Sequence, residues 1–395
     1  MAQQVVPGTD PYQEALDLLE KGSVNSAIEH YNRLIESVPN HAGAWLDLAL
    51  LYCERGDTAR ALEIFDRIEQ KFAPPPAIQE IIAHYRANGC VSASAAVAHW
   101  TVSAGIGRTD NVNHGLTNTL IDLTFPSGTS SVRLADTYSP RGSVEGILNA
   151  SYVRNIRALP GVQWFAGLTE KNFPSAGDFK QQALLVGITQ QHMFGNWEQS
   201  SQFAATNFSL DDQTHQTGMV GQVALWLPPY SAAWPRLGFE LEASRWRYAH
   251  EPDYNNTIIE TRVAARWNYG DRFAIRGSTG YLVDRASGLR PGLDRHGYVI
   301  NAGGQWVASE RILLDATFRQ RVLQDAAIYS PLFGDNKHHS RQLQLILDAQ
   351  YRDNAKSPYT WKLELERSQS RDNVPLFPYT SHTLTLYWQY QRDVF

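Results

Sequence analysis

The stretch NNTIIETRVAARWNYGDRFAIRGSTGYLVD, residues 255–284, decides how the rest of the chain is read. Ile259, Thr261, Val263, Ala265, Trp267 and Tyr269 fall on one face, and Glu260, Arg262, Ala264, Arg266 and Asn268 on the other. A period of two is the signature of a β-strand. Gly270-Asp271 makes a short turn, after which Phe273, Ile275, Tyr281 and Val283 alternate with Arg272, Arg276 and Ser278, so the stretch predicts a tight hairpin. Strands of soluble sandwiches run to about five or six residues. These arms are longer and match a tilted bilayer crossing, with Trp267, Tyr269 and Phe273 gathered at the turn end where an interfacial aromatic girdle sits. The apolar face is therefore expected to meet lipid, and the charged face a wet lumen.

The rest of the chain is consistent with this hairpin. Its 395 residues can hold two domains, and 43% hydrophobic with 19% charged residues is ordinary for folded protein. No apolar run reaches the length of a helical span, whereas barrel strands leave only a weak alternating signal. The 18 Tyr, 11 Trp and 15 Phe suit girdles. A net charge of -5 argues against a general nucleic-acid binder, which needs a basic surface. Met1-Ala2-Gln3-Gln4 has neither a charged nor an apolar leader region, although a barrel must be exported; the expectation is a mature end from which a signal peptide was removed.

Residues 1–11 read as a flexible N-terminus and 12–90 as a helical domain. Gly22, Ala27, Tyr31 and Leu34 recur as Gly56, Ala61, Phe65 and Ile68, the roughly 34-residue period of tetratricopeptide repeats. Trp45, Leu48, Ala49 and Tyr52 open the second repeat. The small residues let paired helices approach and the large ones fill between them, so these positions are core. After Pro74-Pro75-Pro76, a partial third unit with Ile78, Ile81, Ile82 and Tyr85 on one face reads as a cap, giving about two and a half repeats. The exposed groove of such an array is a candidate protein-binding surface. The two cysteines, Cys53 and Cys90, are permitted to form a disulfide if this domain is periplasmic.

Residues 91–98 form a small-residue linker, and from 99 to Phe395 fourteen strands can be drawn. The even number suits a closed antiparallel barrel with both ends periplasmic. The fold class is thus α+β multidomain: helical repeats followed by a 14-stranded antiparallel transmembrane β-barrel in the outer membrane of a Gram-negative bacterium, with a periplasmic N-terminal domain. The predicted inner turns, such as 270–271 and 309–310, are short, and outer loops such as 111–143, 286–293, 326–338 and 373–378 are mostly longer. Leu343, Leu345, Leu347, Trp361, Leu363, Leu365, Leu384, Leu386, Trp388 and Tyr390 are expected to face lipid. Glu260, Arg262, Arg266, Arg276, Asp348, Arg352, Lys362, Glu364 and Glu366 are expected to line the lumen.

No catalytic constellation stands out: there is no HExxH, GxSxG, Walker loop or CxxC pair, and no enzyme activity, cofactor or metal is expected. His338-His339 reads as a pair of exposed loop histidines. At roughly thirty residues, segment 111–143 exceeds a plain hairpin loop. It reads either as a lid or plug over the pore or as an external hairpin. Where strand one meets strand fourteen, Gly105 and Gly107 face the Trp388 and Tyr390 strand; glycines give a strand no packing advantage, so the seam is a candidate lateral gate.

This order of parts, with the segments 105–113 (GIGRTDNVN) and 371–379 (RDNVPLFPY), resembles the surface lipoprotein assembly modifiers, the type XI secretion translocators. The resemblance implies movement of a lipoprotein or soluble secreted protein to the cell surface, with the repeats meeting the client or its periplasmic chaperone, and with lipid and the barrel insertion machinery as further partners. The alternatives are an exopolysaccharide export porin, whose relatives carry longer repeat arrays and sixteen strands, and a passive porin or receptor.

Overall fold

The computed structural model describes residues 11–20, 24–55, 57–72, 74–88, 98–156, 159, 161–231, 234–270, 272–354 and 357–394. Gly22, Gly56, Cys90, Asp271, Phe395, residues 1–10 and most of the 91–98 linker lie outside them. The chain divides into a helical unit and a β unit.

The helical unit comprises α1 (Pro11–Glu20), α2 (Val24–Ser37), α3 (Ala42–Glu54), α4 (Thr58–Phe72) and α5 (Pro76–Asn88). Ala27, Ala44, Ala49 and Ala61 are completely buried, which is what allows the helix pairs to close upon each other. Tyr31, Leu48 and Phe65 fill the space between them and are equally buried. The polar ends are satisfied locally. The Tyr12 and Tyr31 hydroxyls donate to the Asp47 carboxylate at 2.6 and 3.3 Å, and the Trp45 indole donates to the Pro39 carbonyl at 3.0 Å. Burial, reinforced by Asp47, pushes the Tyr31 phenol up from its ordinary range. His41 starts α3 by accepting the Ala44 N–H on its imidazole at 3.0 Å. Tyr52 is partly buried and receives the Asn32 amide on its hydroxyl at 3.3 Å. In the cap, Ile78, Ile82 and Tyr85 pack on the core, Tyr85 stacking on Phe65 at 5.8 Å, but Ile81, expected on that face, is exposed. Cys53 is buried and disulfide-bonded.

The β unit contains β1 (Ala98–Thr109), β2 (Leu120–Phe125), β3 (Gly128–Arg133), β4 (Ser143–Asn155), β5 (Val162–Asn172), β6 (Gln181–Phe194), β7 (Trp197–Leu210), β8 (Gln213–Trp226), β9 (Arg236–Tyr248), β10 (Asn256–Tyr269), β11 (Phe273–Ala286), β12 (Arg295–Ser309), β13 (Ile312–Ile328), β14 (Lys337–Tyr351), β15 (Tyr359–Asp372) and β16 (Tyr379–Val394). All but β2 and β3 form one closed antiparallel barrel of fourteen strands, in which β1 pairs with β4 on one side and β16 on the other. Barrel strands run from 11 to 17 residues, enough for a tilted bilayer crossing. The residue 255–284 hairpin appears as β10 and β11, with Ile259 opposite Val283 and Tyr269 opposite Phe273.

Alternation sorts the faces as the sequence predicts. Ile106, Leu148, Ile188, Phe203, Val263, Leu363 and Leu386 are exposed on the outer surface, which only a lipid surrounding makes favourable. Outward aromatics gather at the end with the short turns, where Trp100, Tyr152 and Trp164 form a chain of rings, Phe273 stacks on Trp306 and Tyr359 on Trp388. The chain enters β1 at this same end, which is the periplasmic one.

Two expectations are modified. His338 is not in an exposed loop: β14 begins at Lys337, and the histidine is buried inside the wall. Segment 111–143 divides its behaviour. Asn111, Val112 and Leu116 are buried at the external mouth, while β2 and β3 form a mostly exposed hairpin whose first strand lies against the turn Pro331–Phe333.

Candidate functional site: the charged lumen and its seam

Glu260 and Arg262 point inward from β10, as parity requires, and Arg262 is directly opposite Glu240 of β9. The Arg262 guanidinium donates to Glu240 at 2.8 Å, Glu242 at 3.1 Å and Glu260 at 2.6 Å. Its side chain is 4% exposed. Glu260 also accepts from Arg321 of β13 at 2.9 Å, so one ion-pair network reaches from β9 to β13. Nearer the periplasmic end, Arg266 donates to both oxygens of Glu198 from β7, at 2.5 and 3.2 Å, and stacks over the Trp226 ring at 4.4 Å. Arg236 shares the same carboxylate at 2.5 Å. Desolvating such groups is costly unless each finds a partner, and here each does. Arg276 differs: it is exposed, has no carboxylate partner among the described residues, and lines a cavity of about 340 Å³ with Trp226, Glu240 and Arg266.

The opposite wall carries the other expected lumen residues. Lys362 donates to Glu364 at 2.7 Å, lies 3.9 Å from Asp348 and sits 4.4 Å above the Tyr387 ring. The Tyr387 hydroxyl donates to Glu364 at 3.3 Å. Glu366 accepts from Gln344 at 2.7 Å and Ser368 at 3.0 Å. Arg352 is not in the charged networks; it lies just beyond β14 and donates to Thr360 and Gln391 at 3.3 and 3.2 Å. The candidates thus separate into two walls: Glu260, Arg262 and Arg266 on one and Asp348, Lys362 and Glu364 on the other lie in ion-pair networks, Glu366 and Arg352 meet only neutral partners, and Arg276 has no carboxylate partner among the described residues.

At the seam, β1 and β16 pair without interruption from Ala98↔Val394 to Thr109↔Thr383. Gly105 and Gly107 face the lumen there, and their missing side chains have a packing purpose. A Cβ on Gly105 would lie 2.6 Å from the Tyr387 ring, and one on Gly107 within 2.7 Å of the Thr385 hydroxyl and the Glu145 carboxylate. Across Gly107, the Thr385 hydroxyl of β16 donates to Glu145 of β4 at 2.5 Å, both groups essentially buried. A hydrogen bond therefore straps β4 to β16 over β1. The glycines read from sequence as weak points make room for this clasp. Trp388 and Tyr390 face lipid, and both pack against Tyr359 in the aromatic girdle.

Above the clasp, the inward part of segment 111–143 is tied down. The Asn111 amide donates to the Gly115 and Thr380 carbonyls at 3.0 and 2.9 Å, and the His114 ring stacks on Tyr379 at 4.3 Å. Burial holds the His114 imidazole below its usual range, against the pull of Glu366. His338 sits between Asp372 at 2.9 Å and Asp325 at 3.4 Å, and Arg290 folds in from the β11–β12 loop onto Asp284 at 3.1 Å. Sequence reasoning missed Glu145, Glu198, Glu240, Glu242, Asp284, Arg290, Arg321 and Thr385. Glu240 and Glu242 carried a signal, since they alternate with Phe239 and Leu241 as lumen residues should.

The tetratricopeptide repeat family model matches residues 12–75. No curated protein matches the sequence. Among solved structures, the outer-membrane channel DcaP of Acinetobacter baumannii is similar at a TM-score of 0.41 and 10% identity, over 75% of this chain and 96% of that one. An anion-selective porin from Comamonas acidovorans has a TM-score of 0.38 at 8% identity, over 75% and 99%. An outer-membrane channel from Pseudomonas putida F1 has a TM-score of 0.35 at 10% identity, over 76% and 97%. With its closed wall, lipid-facing apolar band and periplasmic aromatic girdle, the chain is an outer-membrane β-barrel protein carrying an N-terminal tetratricopeptide repeat unit.

Proposed function

We propose that the protein is an outer-membrane translocator of the surface lipoprotein assembly modifier kind, moving a lipoprotein or soluble protein client to the cell surface. The repeat unit recruits the client or its chaperone on the periplasmic side. The observation that carries this reading is the union, in one chain, of a protein-recognition array with a barrel in whose lumen most charges from β7 to β13, Arg276 excepted, are held in ion pairs. A passive pore is better served by unpaired charges facing a water-filled channel. The reading assigns the chain no catalytic chemistry and no cofactor.

The test is translocation by the full chain reconstituted in proteoliposomes, with secreted proteins and lipoproteins encoded beside it offered from the periplasmic-equivalent side. A client that becomes sensitive to external protease only when the barrel is present supports the reading. Vesicles that release oligosaccharides or conduct steadily while no protein emerges overturn it in favour of an export porin.

A further inference from the structure

Most arginines in the lumen and those on one stretch of the lipid face are in opposite situations. Arg236, Arg262, Arg290, Arg295 and Arg321 each meet a carboxylate. Arg108, Arg341, Arg367 and Arg371 project outward near the external ends of β1, β14 and β15, are exposed, and have no ion-pair partner among the described residues. Arg341 and Arg371 are direct cross-strand partners, Arg367 is opposite His382, and Arg108 is opposite Leu384. Like charges directly opposite each other destabilise a sheet. The adjacent acid, Asp110, is engaged by His382 at 2.8 Å. Four guanidinium groups thus share one wall with a single adjacent carboxylate, Asp110, which is held by His382.

The surface beneath them is shaped. A groove of about 400 Å³ runs under Arg108, Arg367, His382 and the His382-bound Asp110, and is floored by Leu345, Leu347, Leu365 and Leu384. It shares Leu347 and Leu365 with a second groove of about 560 Å³ that continues to Phe273 and Trp306 in the periplasmic girdle. The outward residues Gly304, Ala316 and Ala349 are small and create this depression. Cationic forks above a long apolar trough match a head bearing phosphates on several acyl chains, since Arg binds phosphate through paired N–H donors.

We propose that this wall binds a phosphate-bearing, multi-acyl glycolipid of the outer leaflet. Its phosphates sit on Arg108, Arg341, Arg367 and Arg371, and its acyl chains lie along Leu347 and Leu365. The site adjoins the β1–β16 seam, so the bound lipid braces that seam from outside. The proposal depends on the outer-membrane location and not on the identity of any client.

The experiment uses the full-length folded protein in neutral detergent, titrated with bisphosphorylated lipid A and followed by native mass spectrometry. The variant replaces all four arginines (Arg108→Gln, Arg341→Gln, Arg367→Gln, Arg371→Gln), with Arg341→Gln plus Arg371→Gln alone as the milder version should the first fail to fold. Heat-modified gel mobility reports folding. Lipid A is expected to bind the native protein at least about tenfold more tightly than either variant, with fully dephosphorylated lipid A weakened to a similar degree. Arg245→Gln with Arg247→Gln, outward on β9, is expected to leave binding unchanged. Equal binding by the folded arginine variants, or by dephosphorylated lipid A, overturns the proposal. Full competition by inorganic phosphate at matched concentration also overturns it, because the site then recognises a free anion and not a lipid.

Discussion

Replacing Arg262 by Met removes the cation from a deeply enclosed ion-pair network in the lumen. Three charge-assisted hydrogen bonds are lost together, and Glu240, Glu242 and Glu260 are left facing one another with only Arg321 to answer them. Breaking a buried pair by removing one partner costs roughly 3–5 kcal/mol, because the surviving charge remains desolvated. At about 1.4 kcal/mol per factor of ten, the folding equilibrium falls by roughly two to three and a half orders of magnitude. The assay is urea unfolding of the vesicle-reconstituted protein by tryptophan fluorescence, comparing native protein, Arg262→Met, Glu240→Gln with Glu242→Gln, and the combination. Neutralising the two carboxylates is expected to destabilise the native background and to recover part of the loss in the Met background, giving a coupling of about 0.5–3 kcal/mol. An Arg262→Met protein within about 0.5 kcal/mol of native stability, or strictly additive changes, refutes the reasoning: the lumen waist is then wet enough to screen its charges.

Phe65→Ala empties the centre of the helical unit and is expected to cost it about 3–5 kcal/mol, seen as faster proteolysis of residues 12–88 with barrel heat resistance unchanged. If the repeats recruit the client, delivery falls with it, and undiminished delivery by a proteolysed repeat unit counts against that role. A disulfide between Val102→Cys and Tyr390→Cys, cross-strand partners at the seam, is expected to stop translocation if the barrel opens sideways and to leave it intact if the client passes through a closed wall. His114, whose folded pKa is depressed by burial, is neutral when docked; the loop anchor is at full strength above the ordinary histidine value of about 6.5 and weakens as pH falls below it. Proteolysis of residues 111–143, or their hydrogen exchange after correction for its intrinsic slowing at lower pH, should therefore report more opening at pH 5.5 than at 7.5 in the native protein but not in His114→Phe, and an identical pH response in both sinks the assignment.

The strands and repeats were legible because each announces itself within a short window. Period two separates Val263 from Arg262, and a 34-residue recurrence places Tyr31 and Phe65 in equivalent positions. Which face each lumen candidate occupies followed from the same parity. Who meets whom did not. Arg262 finds Glu240 only because the register between β9 and β10 sets them opposite, and Glu198 and Arg321 arrive from β7 and β13. His338 was misplaced because β13 and β14 extend beyond the apolar band, where lipid no longer imposes alternation on the outer face.

The seam shows the most instructive failure. From composition, Gly105 and Gly107 subtract packing from β1 and predict a loose joint. In the barrel they add it, since only a strand without side chains at those two positions lets Tyr387 lie flat against the wall and lets Thr385 reach Glu145 across β1. The buried Glu145 side chain makes that clasp directional: opening the seam would separate it from its donor and leave a buried acceptor unpaired, costing roughly 1–3 kcal/mol unless water or a client group replaces Thr385. The β1–β16 seam is therefore closed by a clasp as well as by its ladder. Any client that passed between β1 and β16 would have to offer Glu145 a substitute hydrogen bond.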